Sequence, residues 1–141
     1  FRRVLFRSTG PLTDDEFEIV RRHPEIGERI LGCLPPVANI RAGVRSHHER
    51  WDGSGYPDGI AGEAIPLLGR IVAIADAFDA MCSNRTYATP QAVPQALREI
   101  AVGAGTQFDP YLVSCFLRID PVVSRVDFHA PLQAIPHRRT A

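Results

Sequence analysis

The chain has no lysine. All sixteen basic residues among its 141 are arginines, a bias we assign to G- and C-rich codon usage rather than to a need for arginine chemistry. Sixteen acidic residues balance them, giving a formal charge of zero. The whole molecule therefore offers no general attraction to a nucleic acid polymer or an anionic membrane surface, and a phosphate ligand must be held by local chemistry. Cysteine is scarce: Cys33, Cys82 and Cys115 lie far apart and form no C-x-x-C pair. That argues against a zinc site built on paired thiols. It fits a reducing cytoplasm in which the thiols serve as small apolar residues. No apolar run approaches the roughly 20 residues of a membrane-spanning helix. No internal repeat is visible, and no segment alternates at the strand period. A chain of this length holds one core, and the class left open is all-α.

Residues 1–8, FRRVLFRS, match the translation in one frame of a common short-read sequencing adapter, and sense resumes abruptly at Thr9. They are set aside as non-native; the alternative is a basic, amphipathic start to a helix. On this reading the natural sequence is cut near Thr9. A partial domain then spans 9–120, and 121–141 is a loosely ordered tail in which periodicity fades and prolines accumulate.

Within the domain, helix signals are strong. Thr13-Asp14-Asp15-Glu16 forms a capping box with acidic residues suited to the helix dipole. Phe17, Ile19 and Val20 begin an apolar face that runs to the His23-Pro24 step, where a break and a second short helix to about Leu31-Gly32 are expected. Pro35 and Pro36 start a third helix, with Val37, Ile40, Val44 and His47 on one stripe. Four glycines and a proline mark Asp52–Gly62 as an ordered loop. Ile65-Pro66 opens the longest helix, with Ile71, Ile74, Ala75 and Phe78 at helical period. Thr89-Pro90 caps another, carrying Ala96, Leu97 and Ile100 and ending at Gly103 and Gly105, with Pro94 awkwardly inside. Asp109-Pro110 starts the last, with Leu112, Val113, Phe116 and Leu117 inward.

The chemistry lies in HHERWDGSGYPDG (residues 47–59) and in Asp76 within RIVAIADAFDAM. Adjacent His47 and His48 bring two imidazoles to one small volume, and imidazole with carboxylate suits iron, manganese or zinc. A hydrogen-bonded core histidine is the competing explanation. Asp76, flanked by Ile74, Ala75, Ala77 and Phe78, is expected to be buried on at least one side. A buried carboxylate requires a metal or an ion pair, and Arg70 is the nearest arginine in helical spacing. The loop glycines let the chain pass close to a ligand, with Tyr56-Pro57 as a stiff aromatic shelf for a nucleobase.

The string at 47–59 resembles the HHExxDGxGYPxG signature of the HD-GYP family at every fixed position. GPLTDDEFEIVRRHPEIGERIL, IPLLGRIVAIADAFDAMCSNRTY and GTQFDPYLVSCF are similar to further family segments, so the resemblance covers nearly all of residues 9 to 118. It implies a helical bundle of the HD phosphohydrolase type, with two or three divalent metal ions, commonly iron or manganese, acting as a cyclic di-GMP phosphodiesterase. Position by position it implies His23, His47, His48 and Asp76 as metal ligands. Tyr56 and Arg85 would contact the cyclic dinucleotide, and Asp79 would orient a ligating histidine or an arginine. Arg85 suits phosphate or a guanine edge, a solvated loop arginine being the alternative. No side-chain nucleophile is needed: metal-activated water attacks the phosphodiester, giving linear pGpG or GMP.

Two departures stand out. The family's His-Asp dyad and the ligands upstream of it have no counterpart here, so this polypeptide alone is expected to hydrolyse cyclic di-GMP negligibly. Ala88 stands where the family often has a basic residue. The resemblance further implies a cytoplasmic protein with an upstream sensory or receiver domain, working against diguanylate cyclases. A degenerate module that binds nucleotide or protein without catalysis, and a phosphohydrolase for another nucleotide such as a mixed cyclic dinucleotide, are the competing functions.

Overall fold

The structure, a computed structural model, describes residues 13–33, 38–83 and 91–119. Among these residues it is helical, and the single bridge pairs Ala104 with Phe108. Helix α1 spans Asp14–Arg21, α2 His23–Leu31 and α3 Ala38–Ser46. A 3-10 turn at Gly62–Ala64 precedes α4, Leu67–Cys82; α5 is Val93–Val102 and α6 is Pro110–Leu117. Residues 1–8, the 121–141 tail, Pro35, Pro36, Val37 and Thr89-Pro90 lie outside the described residues.

The start signals act as the sequence suggests. Thr13 Oγ1 accepts from the Glu16 amide at 3.3 Å while Glu16 returns a bond to the Thr13 amide at 2.9 Å. Pro24 occupies the first turn of α2, where a missing amide is no loss. Asp109 caps α6, accepting from the amides of Tyr111 and Leu112. Pro94, awkward inside a helix begun at Thr89-Pro90, goes with a later start: α5 begins only at Val93, with Pro94 in its first turn.

The core lies between α4, α5 and α6. Ile74, Ile100, Phe108 and Val113 form one buried cluster; Phe78, Cys82, Ala96 and Leu97 form its neighbour. The stripe read from the sequence on α4 is half right. Ile74 and Phe78 are buried, but Ile71 is 44% exposed and Ala75 is exposed, because the inward face runs Ile74, Phe78, Cys82. On α3, Ile40 is likewise exposed. Of the three free thiols, Cys82 is buried, Cys115 is half-buried and Cys33 is exposed.

Helix α3 packs against both α2 and α4. Its approach to α4 needs glycine: a Cβ on Gly69 would collide with the buried Ser46 side chain, and one on Gly43 would come within 2.7 Å of Leu68 Cβ. The chain leaves this crossing as His47. The following loop docks on the α5–α6 turn through Trp51 N to Gln107 O (3.2 Å) and Asp52 N to Thr106 O (2.9 Å).

Candidate metal centre

Three imidazoles from three chain positions meet at the open end of α1, α2 and α3. His23, the first residue of α2, turns its Nδ1 back to Val20 O at 2.8 Å, and His47, just past α3, turns its Nδ1 to Val44 O at 2.6 Å. Both carbonyls belong to last helical turns, which leave acceptors without an internal partner. A carbonyl only accepts, so each Nδ1 carries the hydrogen, and in the neutral ring each Nε2 then holds a lone pair.

Those lone pairs point at one another. His23 Nε2 lies 3.0 Å from His47 Nε2 and 3.0 Å from His48 Nε2. Donor atoms of all three rings fall within 4.8 Å of each other. Two neutral acceptors at 3.0 Å repel, so the arrangement calls for a cation, either a proton on one ring or a metal ion. Protonation of His47 and of His48 is opposed. Desolvation by burial lowers the His47 pKa, outweighing the bond to Val44. Burial, followed by the neighbouring imidazoles His47 and His23, pushes His48 down to about 3. Two nitrogens each about 2.1 Å from one ion and at right angles are themselves about 3.0 Å apart. The donor set fits a borderline divalent metal.

Asp76, expected to be buried on at least one side, is exposed overall, since its apolar sequence neighbours turn to other faces of α4. It nonetheless lines, with His47, His48, Glu49, Arg50 and Tyr56, a cavity of about 280 Å³. Its charge partly opposes the depression of the His47 pKa and adds to the burial that raises the Tyr56 phenol. Arg70, the alternative partner, is committed elsewhere: its Nη1 donates to the buried Asp109 at 2.6 Å. Asp76 is not within the tight three-histidine group. Asp79 accepts from Ser83 Oγ at 2.8 Å near the end of α4. Arg85 and Ala88 lie outside the described residues.

Tyr56 is drawn into the site. Its ring stacks on His48 with centroids 5.0 Å apart and planes at 26°. The Arg21 guanidinium lies over it at 5.0 Å, and Phe17 meets it edge-on at 6.4 Å. The ring offered as a shelf is thus already in contact with an imidazole, a guanidinium and a second aromatic.

The loop carrying Tyr56 is fastened by residues that the sequence reading did not single out. Glu49, 4% exposed, accepts on Oε1 from the amides of Asp58 (2.6 Å) and Gly59 (3.2 Å), while its buried Oε2 has no partner among the described residues. Arg45 grips Asp58 at two points, 2.7 and 2.8 Å, and reaches Glu28 on α2 at 2.8 Å. These bonds lower the Asp58 pKa. Gly55 lies so close to the Glu49–Arg50 backbone that a Cβ there would collide with it. The signal for Glu49 was its fixed place in the signature. Arg21 gave none, because its role depends on α1 lying beside the loop.

An HD domain family model matches residues 3–112. A cyclic di-GMP phosphodiesterase of Thermotoga maritima is 44% identical over 126 residues, covering 88% of this chain and 34% of that protein. The cyclic di-GMP phosphodiesterase response regulator RpfG of Xanthomonas campestris pv. campestris is 47% identical over 111 residues, covering 77% and 29%. Among solved structures, a cyclic GMP-AMP specific phosphodiesterase of V. cholerae aligns with a TM-score of 0.62 at 28% identity, covering 84% of this chain and 27% of that one. The chain thus spans about a third or less of the length of these relatives.

Proposed function

The chain belongs to the HD domain family, in its HD-GYP branch, and from that membership we infer that it is part of a metal-dependent phosphodiesterase that hydrolyses cyclic di-GMP. The observation carrying this reading is the meeting of three Nε2 atoms beside Tyr56, two of which, on His23 and His47, turn lone pairs toward each other at 3.0 Å. His23, His47 and His48 would hold one ion, with Asp76 on the cavity wall as the carboxylate nearest in role. A centre of two or three ions, iron or manganese, needs further donors besides these four. Bound divalent ions supply an acidified water and neutralise phosphoryl charge.

The chain's own residues bind and orient. Val20 O and Val44 O fix the tautomers of His23 and His47 and aim their Nε2 atoms. Tyr56 packs against His48 and fixes the plane of that ring. Glu49 and Arg45 hold the loop that carries Tyr56. Arg85 would grip phosphate or guanine, and Asp79 would orient a histidine or an arginine. The products are linear pGpG or GMP, and the setting is second-messenger signalling in the cytoplasm, under an upstream sensory or receiver domain and opposed to diguanylate cyclases.

A second substrate, a mixed cyclic GMP-AMP, is favoured by the structural neighbour named for it. The test uses the natural full-length protein. Metal content by mass spectrometry and nucleotide products by chromatography are compared between wild type and His23→Ala. Bound metal and hydrolysis in the wild type, both lost in the variant, support the reading. Hydrolysis that survives loss of His23 refutes it.

A further inference from the structure

We propose that Arg21 is a phosphate-binding residue of this site, holding one phosphodiester of the cyclic dinucleotide while the other lies against the imidazoles. The proposal rests on the phosphodiesterase reading above. The geometry begins with the Tyr56 ring, which is shared: His48 stacks on it at 5.0 Å, and the Arg21 guanidinium lies over it at 5.0 Å. A single aromatic ring therefore links a candidate metal ligand to a cation. Phe17, one turn earlier on α1, sets its edge against Tyr56 and lies 5.9 Å from the same guanidinium. Two rings thus position the cation through their π faces without engaging its N–H donors.

The donors are lightly used. Among the described residues the ion pair of Arg21 is with Glu18, Nη1 to Oε1 at 3.0 Å, and the side chains are 41% and 65% exposed. A pair so exposed is weak. It also shows the fork holding an anionic oxygen, a position that a phosphate oxygen can take over with two-point geometry. Other arginines are bound more fully: Arg45 by Asp58 and Glu28, Arg70 by the buried Asp109, and Arg50, on the cavity wall, by Ser54 and Asp52 within its own loop. A cyclic dinucleotide carries two phosphodiesters in one ring, so placing the first at the imidazoles leaves the second to be held nearby. Arg21 supplies charge and fork beside the Tyr56 ring, which also meets His48.

The experiment measures equilibrium binding of cyclic di-GMP, cyclic GMP-AMP and cyclic di-AMP to the manganese-loaded full-length protein, in wild type, Arg21→Gln and Arg21→Lys. KM and kcat for cyclic di-GMP are measured alongside. We expect Arg21→Gln to weaken binding of every nucleotide that the wild type binds by about ten- to a hundredfold. KM should rise by a similar factor with kcat little changed, metal content should stay at the wild-type level, and Arg21→Lys should recover part of the loss. Unchanged affinity overturns the proposal. So does a wild type that binds cyclic di-AMP as well, with the loss confined to the guanine-containing nucleotides, which would make Arg21 a reader of the base edge. Lost metal in Arg21→Gln also overturns it, by showing a structural role. A wild type that binds none of the three overturns the phosphodiesterase reading and this proposal with it. A wild type that binds and hydrolyses normally alongside an unaffected variant sinks this proposal alone.

Discussion

Replacing Glu49 by alanine removes the anchor of the Tyr56 loop while leaving every candidate metal ligand in place. Its Oε1 accepts two backbone amides, from Asp58 and Gly59, inside a pocket that leaves the residue 4% exposed. A hydrogen bond to a charged group contributes about 1.5–3 kcal/mol. Asp58 and Gly59 are exposed and can turn to water once released, so the lower end applies and the loss should be about 3 kcal/mol in total. For a chain of this size that is a fall in Tm of roughly 10 °C. Glu49→Gln keeps an acceptor for both amides and relieves the charge on an Oε2 that has no partner among the described residues. It should therefore lose only about 1 kcal/mol. Trp51, the chain's only tryptophan, lies two residues away in the docked loop and gives a local fluorescence signal. Urea unfolding followed at Trp51 measures both variants. A Glu49→Ala loss below about 1 kcal/mol, or equal losses for Ala and Gln, would show that the carboxylate is not the anchor.

Other consequences can be tested on the same protein. Gly69→Ala should destabilise by about 1–3 kcal/mol, because its Cβ meets the Ser46 side chain at a helix crossing; a neutral denaturation midpoint would refute that crossing. Asp109→Ala strips α6 of its cap and strands Arg70 against a residue now 5% exposed, so about 3–5 kcal/mol should be lost in a thermal melt. Loop order should depend on acid. Asp52 is lowered from 3.8 to about 2 chiefly by the Ser54 hydroxyl and amide, and Asp58 is lowered by Arg45. A carboxylate depressed in the folded state stabilises above its unfolded pKa, and that contribution fades as pH falls from 3.8 toward 2. Trp51 emission should shift across that window, and Asp52→Asn should diminish the shift. Adding a chelator should lower the Tm and manganese should restore it, by linkage; a melt indifferent to both would speak against a resident metal.

Element boundaries were legible where local chemistry sets them. The Thr13–Glu16 box, the Asp109 cap and the starts at Pro24 and Pro110 each act within a few residues, and each stands where the sequence puts it. Which face of α4 turns inward was harder to read. Apolar residues lie nearly all around LLGRIVAIADAFDAMC, so periodicity alone does not choose between the Ile71–Ala75 side and the Ile74–Phe78–Cys82 side. Packing against α5 and α6 makes that choice. The same ambiguity misled the reading of Asp76: apolar neighbours in sequence do not bury a helical residue when they point a third of a turn away. His47 and His48 were legible as a pair. Their meeting with His23 across 24 residues came from family resemblance and then from the structure, because spacing carries no information about tertiary convergence. Glu49 and Arg21 act through a loop amide and a neighbouring helix, contacts that exist only once the chain is folded.

The contact at Gly43 and Gly69 brings α3 and α4 nearly backbone to backbone, and the imidazole pair begins at the residue after Ser46. A rod clamped at one point swings least beside the clamp and most at its free end. His47 and His48 thus stand beside the clamp, just past the end of α3, while any swing accumulates at its far, exposed end around Ala38. Bonds that tolerate only tenths of an ångström are better served there than at the unclamped end. Enlarging either glycine would therefore loosen the grip on an ion before it unravelled the helices.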